Sequence, residues 1–360
     1  MKIAINGIGA VGGFGCGTDA LASALHSGRC EPGRAAVKTT RGPVEIPVYL
    51  ADTSRLEDFV NKRALRRIDH FSKMALLGSH LALKEAGKLE EDHSRMGVIV
   101  ATGYGAAHTT YDFLDSFLLQ SDSFSSPTCF SSSVHNAAAA SISMLLDITG
   151  PGLTVSQFEM SAASALLAAR SWLEEGRVDS VLFGTVDEYC DVLGYCWHRF
   201  YGEKAAAPHE MRPLEFNMQS AIPGEGAVFF LLTAEGKETA SPYGFIEDIL
   251  IGRCGKGKIG AAQGTRLFIG ADGNMTFSSY YKNHLPGGVP TTCYTPLYGS
   301  LPTGQAFDIA IAAISRMNGK VFPSPGAGGC ADMPERPLGD DKIDCITIGG
   351  EGELASVILH

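Results

Sequence analysis

The residues of this 360-residue chain that could carry chemistry are a glycine-rich opening, nine cysteines, the adjacent carboxylates Asp187 and Glu188 and a few histidines. Gly7-Ile8-Gly9-Ala10-Val11-Gly12 matches G-x-G-x-x-G after a short apolar strand. In dinucleotide-binding proteins those glycines let backbone approach a pyrophosphate. Here Gly13, Gly15 and Gly17 delay the helix that should open at the last glycine. The only acid near the ribose-binding position is Glu31, beside Pro32. A strand-to-helix turn over residues 7–17 is therefore expected, and no bound nucleotide. The cysteines (Cys16, Cys30, Cys129, Cys190, Cys196, Cys254, Cys293, Cys330 and Cys345) are odd in number and contain no C-x-x-C pair. Neither a disulfide framework nor a zinc site is expected, and a reducing, cytoplasmic setting fits. Asp187 and Glu188 are adjacent, which is not a metal spacing; a structural salt bridge is expected. His135, in a serine-rich turn beside Asn136, reads as a hydrogen-bonding interface residue, and His198, between Trp197 and Arg199, as a surface or groove residue.

Alternating strands and helices position these residues. Strands are expected over Lys2–Asn6, Met96–Thr102, Leu153–Gln157, Val178–Gly184 and Ala227–Ala234. Helices are expected over Asp19–His26, Asp69–Ala86, His108–Leu119, Asn136–Leu146 and Ser161–Gly176. Arg29–Asp52 reads as an irregular surface excursion. Beyond Ala234 the pattern repeats in kind, with strands over Gly244–Cys254, Arg266–Ile269, Cys345–Ile348 and Ser356–Leu359 and a helix over Thr303–Met317. This alternation implies α/β layering. A boundary is expected near 235, giving halves 1–235 and 236–360 within one body.

Composition sets the outer limits. Hydrophobic residues make up 45% and charged residues 19%, with 43 glycines, which excludes a disordered chain, a coiled coil and a collagen-like repeat. The net charge of −10 argues against nucleic-acid binding. No apolar stretch reaches the ~18 residues of a membrane span, and Met1–Ile5 is too short for a signal peptide.

Several stretches together resemble the β-ketoacyl synthase family of the thiolase-fold superfamily. They are Ile5-Asn6-Gly7-Ile8-Gly9-Ala10-Val11; Arg67 to Ala75 with Ala82-Leu83 and Ala86-Gly87; Ser126-Pro127 with Ser133-Val134-His135-Asn136; and Gly184 to Glu188. Arg212-Pro213-Leu214-Glu215, Gly224-Glu225-Gly226-Ala227 and the closing Ala355–His360 complete the set. The resemblance implies an α/β thiolase-like fold of two similar halves in α-β-α-β-α layers.

An active synthase of this family uses a cysteine at the start of the helix after the Thr-Val-Ser strand. There the helix N-terminus lowers the thiol pKa and backbone N–H groups hold the oxyanion. Here Leu153-Thr154-Val155-Ser156 runs into Gln157-Phe158-Glu159-Met160-Ser161, so Glu159 falls at the cysteine's place. By the same resemblance Asp272 and Ser300 stand at the two histidine positions and Thr295 at the lysine. Gly349-Gly350-Glu351-Gly352 occupies the loop of the gating phenylalanine. A carboxylate is a weak thioester nucleophile and repels a malonyl carboxylate; a salt-bridging or capping role is expected for Glu159. Lys256 and Lys258, among glycines, either meet an anion such as phosphopantetheine or lie in an exposed loop.

The resemblance thus implies a catalytically silent subunit of the chain-length-factor kind. It would pair with an active ketosynthase in type II polyketide, polyene or fatty-acid assembly, with acyl carrier protein met mainly through the partner. Phe113, Phe130 and Phe158 are candidate tunnel or interface residues, equally readable as core. No cofactor or metal is expected. Two alternatives stand: an enzyme using Glu159 and Asp272 as an acid/base pair on an acyl thioester, and a self-paired structural scaffold.

Overall fold

The structure, a computed structural model, describes residues 1–120, 127–202, 210–237, 241–255, 259, 264–325 and 336–360. The elements follow from local pattern. β1 is Ile3–Gly12, and α1, His70–Glu85, is capped by the Asp69 carboxylate accepting from the Ser72 N–H at 2.8 Å. β2, Met96–Thr102, is buried throughout, as a strand covered on both faces must be. α2 (Ala107–Gln120), α3 (Pro127–Ser133) and α4 (Ala137–Leu145) lead to β3, Gly152–Ser156. Next come α5 (Ser161–Glu174), β4 (Ser180–Asp187), α6 (Asp191–Trp197) and β5 (Gly226–Ala234). The rest is β6 (Phe245–Arg253), β7 (Thr265–Ile269), α7 (Met275–His284), β8 (Thr291–Thr292), α8 (Gln305–Asn318), β9 (Lys342–Ile348) and β10 (Glu353–Leu359).

One five-strand arrangement occurs twice. In the order β1-β5-β4-β2-β3 the first two pairings are antiparallel and the last two parallel. The order β6-β10-β9-β7-β8 has the same signs. Among the described residues the sets pair where Ile3 and Ala4 of β1 lie opposite Ile246 and Phe245 of β6. α5 and α8 lie between the sets, each packing on strands of both. Their composition permits this: α5 buries Ala162, Ala163, Ala165 and Ala169, and α8 is buried from Gln305 to Ser315. α1 and α4 cover the outer face of the first set and α7 lies against β9 in the second. This is the layered, mixed α/β thiolase-like arrangement expected.

Two expectations are corrected. The glycine-rich turn placed over residues 7–17 is strand as far as Gly12, pairing with β5 up to Val11 opposite Ala227. Its glycines serve packing: a Cβ on Gly9 would sit 1.9 Å from the Gly78 carbonyl oxygen of α1. The irregular excursion over Arg29–Asp52 contains a β-hairpin, Gly33–Thr39 with Gly42–Val48. Alternation drives it, because Val37, Ile46 and Val48 are buried while Ala36, Lys38 and Glu45 are exposed. Lys256 and Lys258 lie outside the described residues.

Candidate functional site

The C-terminal ends of β2, β3 and β4 and the corresponding ends in the second half open onto a cavity of about 420 Å³. Glu159, Asp272 and Ser300 all line it, so a residue of the first half meets two residues of the second that lie more than 110 positions further along the chain.

Glu159 is held by the chain's exit from β3. Gln157 N–H donates to Ser161 Oγ at 2.7 Å, Phe158 takes a left-handed φ of 45°, and a short 3₁₀ turn, Phe158–Met160, leads into α5. A phenylalanine rarely adopts that φ, so the turn carries strain. Burial pushes the Glu159 carboxyl up to about 7. Its own backbone N–H opposes that, and Asp272, Glu353 and Asp187 add to it. Among the described residues no basic group acts on it, and neither the 3₁₀ turn nor α5 has a side-chain cap. The salt-bridging or capping role expected for Glu159 is therefore not what the structure shows. Its carboxylate faces the cavity, close to the Gly349 turn, where a Cβ would lie 3.5 Å from Oε2.

Asp272 follows β7. Its Oδ1 accepts the Asn274 N–H at 2.9 Å, and its Oδ2 accepts a short hydrogen bond from the Ser300 hydroxyl. Asp272 and Ser300, the two residues that the resemblance led one to expect at the histidine positions, thus bind each other. Burial raises the Asp272 carboxyl, against these two bonds. Ser300 is fixed by its own N–H on Ile222 O at 2.8 Å. Thr295 also lines the cavity, but its hydroxyl is spent on Ala271 O at 2.7 Å.

Asp187 is corrected in kind. It is 1% exposed and, among the described residues, forms no salt bridge. Its Oδ1 accepts from the Thr102 hydroxyl and the Gly103 and Tyr104 N–H groups at 2.8, 2.8 and 3.1 Å. Its Oδ2 accepts from the Thr303 hydroxyl and N–H at 2.8 and 3.2 Å. One carboxylate thereby ties the end of β2 to the entrance of α8. Glu188 likewise has no basic partner in direct contact; it accepts the His108 N–H at 2.8 Å, and burial pushes it up to about 7.

Of the three phenylalanines, none is among the cavity's lining residues. Phe113 and Phe130 meet with ring centroids 5.4 Å apart where α2 crosses α3, and Phe130 is 58% exposed. Phe158 lies edge-on to Tyr104, a lining residue, at 5.9 Å. His135 is exposed with its ring against Gly105, and His198 sits in the turn after α6. Sequence reasoning missed Cys196, Trp197 and Tyr201, which reach the cavity from α6 and the following turn, and Gln305 at the start of α8. Their signal was weak because α6 lies in a stretch with no apolar period, and Gln305 is one polar residue in an apolar helix.

A fold with this repeated five-strand plan and a site at the strand ends defines a thiolase-like ketosynthase scaffold. The family profile described as Beta-ketoacyl synthase, N-terminal domain, matches residues 1–237, and the chain belongs to that family. Nodulation protein E of Rhizobium meliloti (strain 1021) is 25% identical over 242 residues, 66% of this chain and 59% of that protein. A 3-oxoacyl-[acyl-carrier-protein] synthase 2 of the same organism is 26% identical over 255 residues, 64% of this chain and 58% of its own. The alignments thus span less than two thirds of these relatives. Among solved structures, a β-ketoacyl synthase from Burkholderia phymatum STM815 superposes with a TM-score of 0.78 at 15% identity. It covers 100% of this chain and 99% of that one. The ishigamide ketosynthase/chain length factor gives 0.78 at 16% identity, over 99% and 98%. Among the described residues no helix is long and apolar enough to cross a membrane.

Proposed function

We propose that the chain is a non-catalytic ketosynthase-like subunit, a chain-length factor, that pairs with an active ketosynthase and shapes its acyl tunnel. The observation that carries this is the content of the cavity. Glu159, Asp272 and Ser300, the residues expected at the positions of nucleophile and histidines, line it together, and the last two are hydrogen-bonded to each other. A carboxyl with its proton held up to about 7 offers neither a thiolate nor an imidazole. A malonyl carboxylate would enter against Glu159 and Asp272 with no described basic residue in the wall.

The surface favours pairing. β3 is the outermost strand of its sheet, with an unpaired, half-exposed edge, a template for another chain. Apolar side chains stand exposed on the helices preceding it, including Phe117, Leu118, Phe130 and Met144. Two fold neighbours are described as ketosynthase/chain length factor assemblies. Acyl carrier protein would be met mainly by the partner, since this chain is itself acidic. The halves 1–235 and 236–360 would act as one body, bulk at the seam setting how long a chain can grow by steric exclusion.

The test is co-expression with a candidate ketosynthase. A 1:1 complex that extends malonyl units on carrier protein, with activity surviving Glu159→Ala, is expected. The chain alone turning over an acyl thioester, with Glu159→Ala abolishing it, would overturn the proposal. That result would favour the second reading, an acid/base enzyme on an acyl thioester, which Glu159 supports by titrating near 7 in an open cavity. A stable homodimer that takes neither partner nor thioester would leave the scaffold reading.

A further inference from the structure

The internal repeat has one helix in the first half with no counterpart in the second. α4 and α7 precede β3 and β8, and α5 and α8 follow them. α1, sixteen residues long, stands between β1 and β2 in the chain and packs on β1 and β5. Its counterpart belongs between β6 and β7, on β6 and β10. Positions 254–264 supply only eleven residues there, too few for its length. Among the described residues the α-helices packed on β6 or β10 are α5 and α8, which lie between the sets.

Alternation shows what is left bare. Ile249, Ile251, Ala355, Val357 and Leu359 turn into the core around α5 and α8. Leu250, Leu354, Ser356 and Ile358 instead line a groove of about 410 Å³. On the equivalent face of the first half, Phe229 is 0% exposed beneath α1, whereas Leu250 is 52% exposed. An apolar sheet face is normally buried against another element. Within the 360 residues the longest stretch outside the described ones is 326–335, ten positions. The chain therefore has no free segment of α1's length to lay across this face.

The groove's charge says what fits. Asp248 and Asp344 line it. Asp248 Oδ1 lies 3.6 Å from Arg170 Nη1, yet its side chain is 59% exposed. Asp344 accepts the Ser356 hydroxyl at 2.6 Å, and burial still pushes its carboxyl up to about 6. Arg253, also in the wall, is turned to Glu351 and Glu353 at 3.4 and 3.5 Å. A sixteen-residue helix is about 24 Å long, close to the ~23–30 Å of β10 and β6.

We infer that this face is a docking site for one amphipathic helix of a partner protein, of about α1's length, with an apolar stripe on Leu250, Leu354 and Ile358 and basic side chains reaching Asp248 and Asp344. The pairing proposed above uses β3 and the helices before it, so the two stand or fall separately.

The test uses the full chain and a fluorescein-labelled sixteen-residue helical peptide, with leucines at i, i+3, i+4 and i+7 and lysines beside them. The controls are the same peptide with glutamate for lysine and a scrambled peptide of the same composition. By fluorescence anisotropy the lysine peptide is expected to bind about tenfold tighter than either control. Leu250→Arg, at an exposed position, should weaken it about tenfold. The peptide should also slow alkylation of Cys254, which lines the groove, and leave Cys196 in the cavity unaffected. No saturable binding, equal binding of either control, or an affinity unchanged by Leu250→Arg overturns the inference. So does a homodimer of the unaltered chain that Leu250→Arg breaks, since the occupant would then be a second copy. If Leu250→Arg does not fold, the three-peptide comparison and the Cys254 protection on the unaltered chain decide alone.

Discussion

Asp187 is the residue whose replacement should tell most about how the two halves are held. Its two oxygens accept five hydrogen bonds, three from the end of β2 and two from Thr303 at the entrance of α8. In Asp187→Asn the amide oxygen can keep the three donors of the Thr102–Tyr104 side. The new NH₂ then faces Thr303, whose hydroxyl can rotate to accept but whose N–H cannot. One buried donor is orphaned, at about 1–3 kcal/mol, and the surviving bonds lose their charge assistance. Relief of a buried charge works the other way. The net expectation is a loss of about 2–4 kcal/mol, a large share of the ~5–15 kcal/mol that holds most domains folded. Asp187→Ala, which strands all five donors, should cost about 3–5 kcal/mol.

The assay is urea unfolding followed by the fluorescence of Trp172 and Trp197, one on the central helix and one beside the cavity. A cycle with Thr303→Val adds specificity, since that change removes only the Thr303 hydroxyl. If the clasp is real the pair should couple by about 1–2 kcal/mol. Burial raises the Asp187 carboxyl against its five donors. Were it protonated in the folded chain, asparagine would be a near-isostere. An Asp187→Asn protein within about 0.5 kcal/mol of the parent would therefore refute the charged clasp.

Three further outcomes are expected. Gly9→Ala should destabilise by about 3 kcal/mol or prevent folding, because its Cβ would fall 1.9 Å from the Gly78 carbonyl oxygen; a thermal scan checks this. Stability should fall as pH rises from about 4.5 to 7. Glu159, Glu188 and Asp308 are each pushed up to about 7 in the fold and so hold protons that the unfolded chain has released. Denaturation midpoints at several pH values test the sign, and Glu159→Gln should flatten the slope. Glu225→Gln should cost about 2–3 kcal/mol, since Glu225 accepts from Ala51 N–H and Tyr189 N–H and pairs with His70 at 2.9 Å; chemical unfolding measures it.

Much of this molecule was readable in the chain. Met96–Thr102 was placed to the residue, because a short run of Val, Ile and Ala between polar and glycine stops suggests a buried strand. α1 and α5 were placed within two residues at each end, one by apolar and small residues recurring at helical spacing and one by its alanine-rich composition. The opening glycines misled, because a glycine inside a strand looks the same on paper as one in a turn. Only the approach of α1 to Gly9 shows why it is there. The hairpin over Gly33–Val48 was missed because glycine, proline and charge mask its alternation.

The order of residues carried the α/β pattern and the groups themselves, with Glu159 where the resemblance leads one to expect the family's cysteine and Asp272 and Ser300 where it leads one to expect the histidines. Local pattern and residue identity are properties of the chain, so no coordinates were needed. Only the tertiary structure decided what those groups do. It left Glu159 without a cation, bound Asp272 to Ser300, and turned Asp187 from an expected ion pair into a clasp of five hydrogen bonds. The physical reason is that a carboxylate's state depends on the donors and solvent around it. Those donors come from Thr102, Gly103, Tyr104 and Thr303, which no local rule along the chain brings together.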